Sequence, residues 1–203
     1  MILALDTSTA ACTAALFDGS GACLARKDEI IGRGHAERLV PMLAEMLDGR
    51  RARQIIVGIG PGSFTGIRVG IAAAHGLAIG WNAELQGLYS LALLAASARA
   101  PGQVAAAVLG GHGELFIQEF EGDSLEPRSD LRNLPPSEAA EAIRANLVVG
   151  SGAAQVVGAR GWGEARDGFP AAADALLLPD PLRSLSAKPV YARAPDARAL
   201  EPA

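Results

Sequence analysis

The chain opens on an apolar run, Ile2-Leu3-Ala4-Leu5, closed by Asp6 and followed by the polar turn Thr7-Ser8-Thr9. A second apolar run over residues 12–17, the turn Asp18-Gly19-Ser20-Gly21 and a return over 22–27 predict a meander of three antiparallel strands. A dinucleotide-binding fold would open strand, helix, strand instead. From His35 the period becomes helical, with Ala36, Leu39, Val40, Leu43 and Leu47 on one stripe and Gly49 with Arg50-Arg51 as a stop. Pro41 removes one ladder bond inside that helix and predicts a kink. Residues 54–59 read as a β-branched strand running into Gly60-Pro61-Gly62-Ser63-Phe64-Thr65-Gly66, and residues 67–80 as a second helix. A strand over 85–88 and a helix over 90–98, capped by Ser90, complete the first half.

Pro101-Gly102 breaks the chain and predicts a lobe boundary, giving lobes of residues 1–99 and 100–203. Strands over 104–109 and 114–121 flank Gly110-Gly111-His112-Gly113, and 123–136 reads as polar loop. Ser137 is then expected to cap a helix to residue 145, with Glu138 and Glu141 near its positive end. Leu147-Val148-Val149-Gly150-Ser151-Gly152 repeats the strand-to-glycine pattern of the first half. Meander, helix, strand and glycine turn thus occur twice in one order, which predicts two similar lobes of a mixed α/β fold.

Composition narrows the function more than the fold. The first hundred residues carry nine basic and eight acidic side chains, the remainder nine and fourteen, so neither half has the cationic excess of a stand-alone nucleic-acid binder. If the protein serves RNA, a partner holds it. Cys12 and Cys23 are too few for a disulfide framework or a zinc site and read as a reduced, buried pair. The start lacks a basic leader region, and the longest uncharged stretch, 69–83, falls short of the ~20 residues that span a bilayer, which points to the cytoplasm and no membrane.

The glycine loop is the sharpest chemical signal, because its backbone amides could approach an anion while Ser63 or Thr65 adds a hydroxyl and Arg68 a charge. No lysine follows Gly66, which removes a P-loop. The plainer reading is structural: Gly60, Gly62 and Gly66 make a tight turn and Thr65 caps the helix. Asp6, Thr7 and Ser8 could form a vestigial phosphate loop, but a second acidic loop in the other lobe is missing. His35, His75 and His112 form no paired-histidine motif, since Leu39 stands one turn after His35, and no metal or catalytic residue is expected. His35 itself reads as a helix-start residue, and Arg50-Arg51-Ala52-Arg53 as a cluster suited to a helix end. On the first helix Leu39, Met42 and Met46 widen the apolar stripe beyond one contact, and Gly70, Ala73 and Leu77 offer a small-residue surface on the second. Either the other lobe covers them, or these six residues form a partner interface.

Three segments carry a family resemblance: Ile2-Leu3-Ala4-Leu5-Asp6-Thr7-Ser8, His35-Ala36-Glu37-Arg38-Leu39-Val40-Pro41-Met42 and Gly60-Pro61-Gly62-Ser63-Phe64-Thr65-Gly66-Ile67-Arg68-Val69-Gly70. Together they resemble the TsaB (YeaZ) family, subunits of the bacterial machinery that makes threonylcarbamoyladenosine beside the tRNA anticodon. Lys188-Pro189-Val190-Tyr191-Ala192-Arg193 is similar to that family's closing element. The resemblance implies an actin-like (ASKHA) two-lobed α/β fold, each lobe a mixed sheet flanked by helices. It also implies a non-catalytic role, in which the N-terminal helices dock on TsaD, TsaE joins the complex and tRNA is reached through it. No intrinsic cofactor is expected; ATP or ADP would belong to the complex interface, and without TsaD the chain would form homodimers. One departure stands out: Leu109 runs directly into Gly110-Gly111-His112-Gly113-Glu114 where the family usually has Asp-x-Arg. The competing expectation is an enzyme, an independent actin-like ATPase or a glycoprotease-type peptidase.

Overall fold

A computed structural model describes residues 1–192 of the 203. The predicted meander is present as β1 (Ile2–Asp6), β2 (Ala11–Phe17) and β3 (Cys23–Ile30), with antiparallel pairing that sets Ile2 opposite Phe17 and Asp6 opposite Thr13. α1 (His35–Leu47), β4 (Gln54–Gly58), α2 (Phe64–Trp81) and β5 (Glu84–Leu88) follow, and β4 and β5 add in parallel to give the order β3-β2-β1-β4-β5. α3 (Ser90–Ala98) then leads to the second sheet.

That sheet repeats the design. β6 (Gln103–Leu109), β7 (Leu115–Glu121) and β8 (Arg132–Leu134) form its meander, joined by α4 (Pro136–Ala142), β9 (Leu147–Val149), α5 (Ala153–Arg160) and β10 (Glu164–Arg166). Its order is β10-β9-β6-β7-β8, the same topology element for element. β8 lies inside the stretch expected to be loop, and α4 ends at Ala142 with Pro135, not Ser137, at its cap position.

Alternation along the strands divides the core into layers, because successive side chains point to opposite faces. Leu3, Leu5, Ile55 and Val57 face α1 and α2, whereas Ala4 and Ile56 face α3 and the second sheet. α3 is apolar all round and its side chains are buried at every position but Ser97, as such a helix must be. It fills the space between the sheets, while a third cluster joins the second sheet to α4 and α5.

α1 continues through Pro41, which is exposed, so the Glu37 carbonyl it leaves without an amide lies on the solvent side. The helix ends at Asp48 in the left-handed conformation, and Arg50 donates to the Leu47 and Met46 carbonyls at 2.9 Å each, as the basic helix-end reading expects. Cys12 is buried, but Cys23 is exposed on β3, which corrects the expected buried pair. The division at residue 99 also needs amendment. After a short α6 (Asp180–Arg183) the chain returns to the first sheet, where Leu185 bridges Gly87 and the Val190 amide donates to the Ile59 carbonyl at 2.8 Å.

Candidate functional site

β1 delivers Asp6 to the centre of the first lobe with the Asp6 side chain sealed from solvent. The Ser8 amide and hydroxyl donate to Asp6 Oδ1 at 2.8 and 2.7 Å, and the Ser90 hydroxyl donates to Oδ2 at 2.6 Å. The Gly60 amide in turn donates to Ser90 Oγ at 3.1 Å. Ser90 is therefore no cap; Tyr89 holds that position and Ser90 ties α3 to the strand end. Burial raises the Asp6 pKa, and the hydrogen bonds from Ser90 and Ser8 oppose that rise.

The glycine loop packs onto the same turn. A Cβ at Gly62 would collide with the Ser8 carbonyl, one at Gly66 with the Thr7 carbonyl oxygen, and one at Gly70 with Thr7 Oγ1. Thr7 Oγ1 donates to the Gly66 carbonyl at 2.7 Å and the Ser63 amide to the Ser8 carbonyl at 2.7 Å. Asp6, Thr7 and Ser8, the candidate vestigial phosphate loop, are buried partners of the glycines and offer no open face to a phosphate. The cap is also reassigned. α2 begins three residues before the expected start, so Ser63 accepts from the Gly66 amide at 3.2 Å while Thr65 is exposed. Gly60 sits against Ile67 and the Val190 carbonyl, and Arg68 lies over the Phe64 ring.

His35 is buried with Nε2 3.3 Å from the Ala11 carbonyl, a structural position at the start of α1. Among the described residues no three His, Cys, Asp or Glu side chains are grouped to hold a metal. No helix among them is long and apolar enough to cross a membrane.

The six expected interface residues divide sharply. Leu39, Met42, Met46 and Gly70 are buried and belong to the core on that side of the first sheet, because α1 packs its wide stripe on β2, β3 and α2 at once and α2 sets Gly70 against the Thr7 side chain. Only Ala73 and Leu77 remain half-exposed. The outward face lies about one residue round each helix: Ala36, Val40 and Ala44 on α1, and Ala72, Gly76 and Ile79 on α2. Val40 is 62% and Ile79 83% exposed, values that leave large apolar side chains in water. Between the helices runs a groove of about 580 Å³ lined by Val40, Ala44, Leu47, Ala73, Leu77 and Trp81, with Arg50 and Arg51 at one end. Its signal in sequence was the absence of charge from Val69 to Trp81, which says that the whole helix is covered without saying by what.

A solved structure of a Pseudomonas aeruginosa protein, described as uncharacterized with similarity to peptidase YeaZ, superposes with a TM-score of 0.79 at 31% identity, covering 95% of this chain and 99% of that one. The chain belongs to the TsaB (YeaZ) family. Within that family it is similar to the Escherichia coli K12 tRNA threonylcarbamoyladenosine biosynthesis protein TsaB, 38% identical over 131 residues, which are 60% of this chain and 55% of the relative. The matched stretch spans about half the length of the curated TsaB relatives from E. coli and Haemophilus influenzae. The model of the family TsaD, tRNA N6-adenosine threonylcarbamoyltransferase, matches residues 28–128, a stretch that contains both α1 and α2. A Clostridium difficile activator of 2-hydroxyisocaproyl-CoA dehydratase shares the fold alone, with a TM-score of 0.51 at 9% identity, covering 87% of this TsaB-family chain and 91% of its own. The fold is thereby the actin-like, two-lobed α/β architecture, each lobe a mixed five-stranded sheet flanked by helices.

Proposed function

We propose that this chain is a non-catalytic subunit of the tRNA threonylcarbamoyladenosine-synthesis complex, which binds TsaD and supports threonylcarbamoyl transfer to the adenosine 3′ of the anticodon. The observation that carries the reading is the exposed, uncharged flank of α2 beside Val40 and Ala44 of α1. Such a face is unfavourable in water until another apolar surface covers it, and its glycine and alanines allow a helix to approach closely. The TsaD family model matches through α1 and α2, so TsaD is expected to present helices of the same kind and the two pairs to close as a four-helix bundle about a pseudo-twofold axis. Without TsaD, the same self-complementary face pairs two copies of this chain.

In this reading TsaE joins the assembly, tRNA is engaged through the complex, and the work is cytoplasmic. Any ATP or ADP belongs to the interface between subunits in this reading, and not to Asp6, whose two oxygens already accept hydrogen bonds from Ser8 and Ser90. An independent ATPase would need an acid open to the metal-nucleotide, and Asp6 is closed. The test is reconstitution: TsaD, TsaE, ATP, a threonylcarbamoyl donor and tRNA, with and without this chain. Modified adenosine should form only when the chain is present. Peptide or ATP turnover by the chain alone, unaffected by TsaD and abolished by Asp6→Asn, would contradict the proposal.

A further inference from the structure

The N-terminal end of α2 carries a cluster that neither the buried joint nor the groove uses. Phe64 and Tyr191 are 46% and 41% exposed, with ring centroids 5.4 Å apart and planes 31° from parallel. The guanidinium carbon of Arg68 lies 3.3 Å from the Phe64 centroid and 5.4 Å from that of Tyr191. Arg68 is exposed, and among the described residues its guanidinium makes no ion pair or hydrogen bond. Its charge is held in place by rings and remains available at its N–H edges.

The cluster joins two parts of the chain that are far apart in sequence, and each is anchored by its backbone. Phe64 follows the Ser63 cap at the start of α2, and Tyr191 follows Val190, whose amide is bonded to the Ile59 carbonyl. Exposed aromatic rings beside a guanidinium with no polar partner among the described residues suit a flat π-system that carries a negative charge, because an uncovered ring face stacks while the N–H edges meet the anion. An aliphatic or carboxylate side chain would use only one of those two features. A nucleotide uses both.

We propose that Phe64, Arg68 and Tyr191 form a stacking platform for an unpaired nucleotide of the RNA substrate, its base on the rings and its phosphate on Arg68. The proposal rests on the tRNA-modification reading, and it fits a chain whose acidic balance denies it strong RNA binding alone. The platform adds contact within the assembly.

The experiment measures tRNA affinity of the preassembled complex with TsaD as a function of salt, using Tyr191→Ala, Arg68→Ala and Arg68→Lys, with co-elution on TsaD as a separate readout. All three variants should co-elute normally. Tyr191→Ala and Arg68→Ala should each weaken tRNA binding about tenfold. Arg68→Ala should also lower the salt slope of log K by about 0.7, which Tyr191→Ala and Arg68→Lys leave unchanged. Unchanged affinity in Tyr191→Ala and Arg68→Ala overturns the platform. So does weakening that appears only where a variant no longer co-elutes with TsaD, because the cluster then belongs to a protein contact. If the wild-type chain does not co-elute with TsaD, the functional reading has failed on its own. The isolated chain titrated at low salt with a single-stranded oligoribonucleotide then decides the platform: a similar loss on Tyr191→Ala supports it, and equal binding overturns it.

Discussion

Two glycines ten residues apart on α2 should respond to the same substitution with opposite signs. Gly66→Ala drives a methyl group into the Thr7 carbonyl oxygen, far inside the roughly 3.3 Å at which carbon and oxygen touch, and the obstacle is backbone that cannot rotate away. Relief requires α2 to lift from the β1–β2 turn, straining the 2.7 Å bond from Thr7 Oγ1 to the Gly66 carbonyl. Overpacking of this kind costs about 1–3 kcal/mol and a weakened buried hydrogen bond about 1 more, so Gly66→Ala should lose roughly 2–4 kcal/mol. At roughly 2–4 °C per kcal/mol for a chain of this size, Tm should fall by about 5–15 °C. Gly76→Ala meets nothing within 4 Å and should gain up to about 1 kcal/mol from helix propensity. Urea denaturation of both variants beside the wild type measures the pair. If Gly66→Ala keeps wild-type stability and loses only nucleotide affinity, the loop is an open ligand site and the close-packing account is wrong.

Two further predictions concern the same joint. Ser63→Ala removes the α2 cap and should cost about 1 kcal/mol, whereas Thr65→Ala should stay within about 0.5 kcal/mol, read by thermal melts; the reverse order would return the cap to Thr65. The Asp6 pKa is raised in the fold, so the folded chain holds its proton longer than the unfolded chain, and stability contributed by the protonated form is lost as pH climbs above 3.8 toward the folded value. The stability advantage of wild type over Asp6→Asn should therefore be largest below pH 3.8 and decline above it; an advantage that grows with pH would mean that the hydrogen bonds outweigh burial.

Much of the fold was legible because it is local. Periodicities of two and of three to four placed the first-half strands and helices, and the repeated order of elements marked the two lobes before any pairing was known. What escaped was set by partners far along the chain. Burial of Leu39, Met42 and Met46 depends on α1 covering two strands at once, so stripe width alone could not separate core from interface. Ser90 read as a cap from its neighbours, but its hydroxyl is claimed by Asp6, eighty-four positions away. The return of residues 185–190 to the first sheet rests on backbone bonds at Gly87 and Ile59, which leave no mark on side-chain pattern. At the glycine loop the residue types permit a close approach without naming the group that makes it; the geometry shows the protein's own Thr7-Ser8 turn against Gly62, Gly66 and Gly70.

The central claim is that the outward face of α1 and α2 binds TsaD, and the most direct measurement is the dissociation constant of that pair by titration calorimetry for wild type, Val40→Glu and Gly76→Arg. Both substituted positions are exposed, and a Cβ at Gly76 meets nothing, so both variants should fold with Tm near wild type. Burying an unpaired charge in an apolar helix contact costs several kcal/mol, so each variant should bind TsaD more than about a hundredfold more weakly. Wild-type affinity in Gly76→Arg, with the chain folded, would contradict the claim and move the interface off these helices.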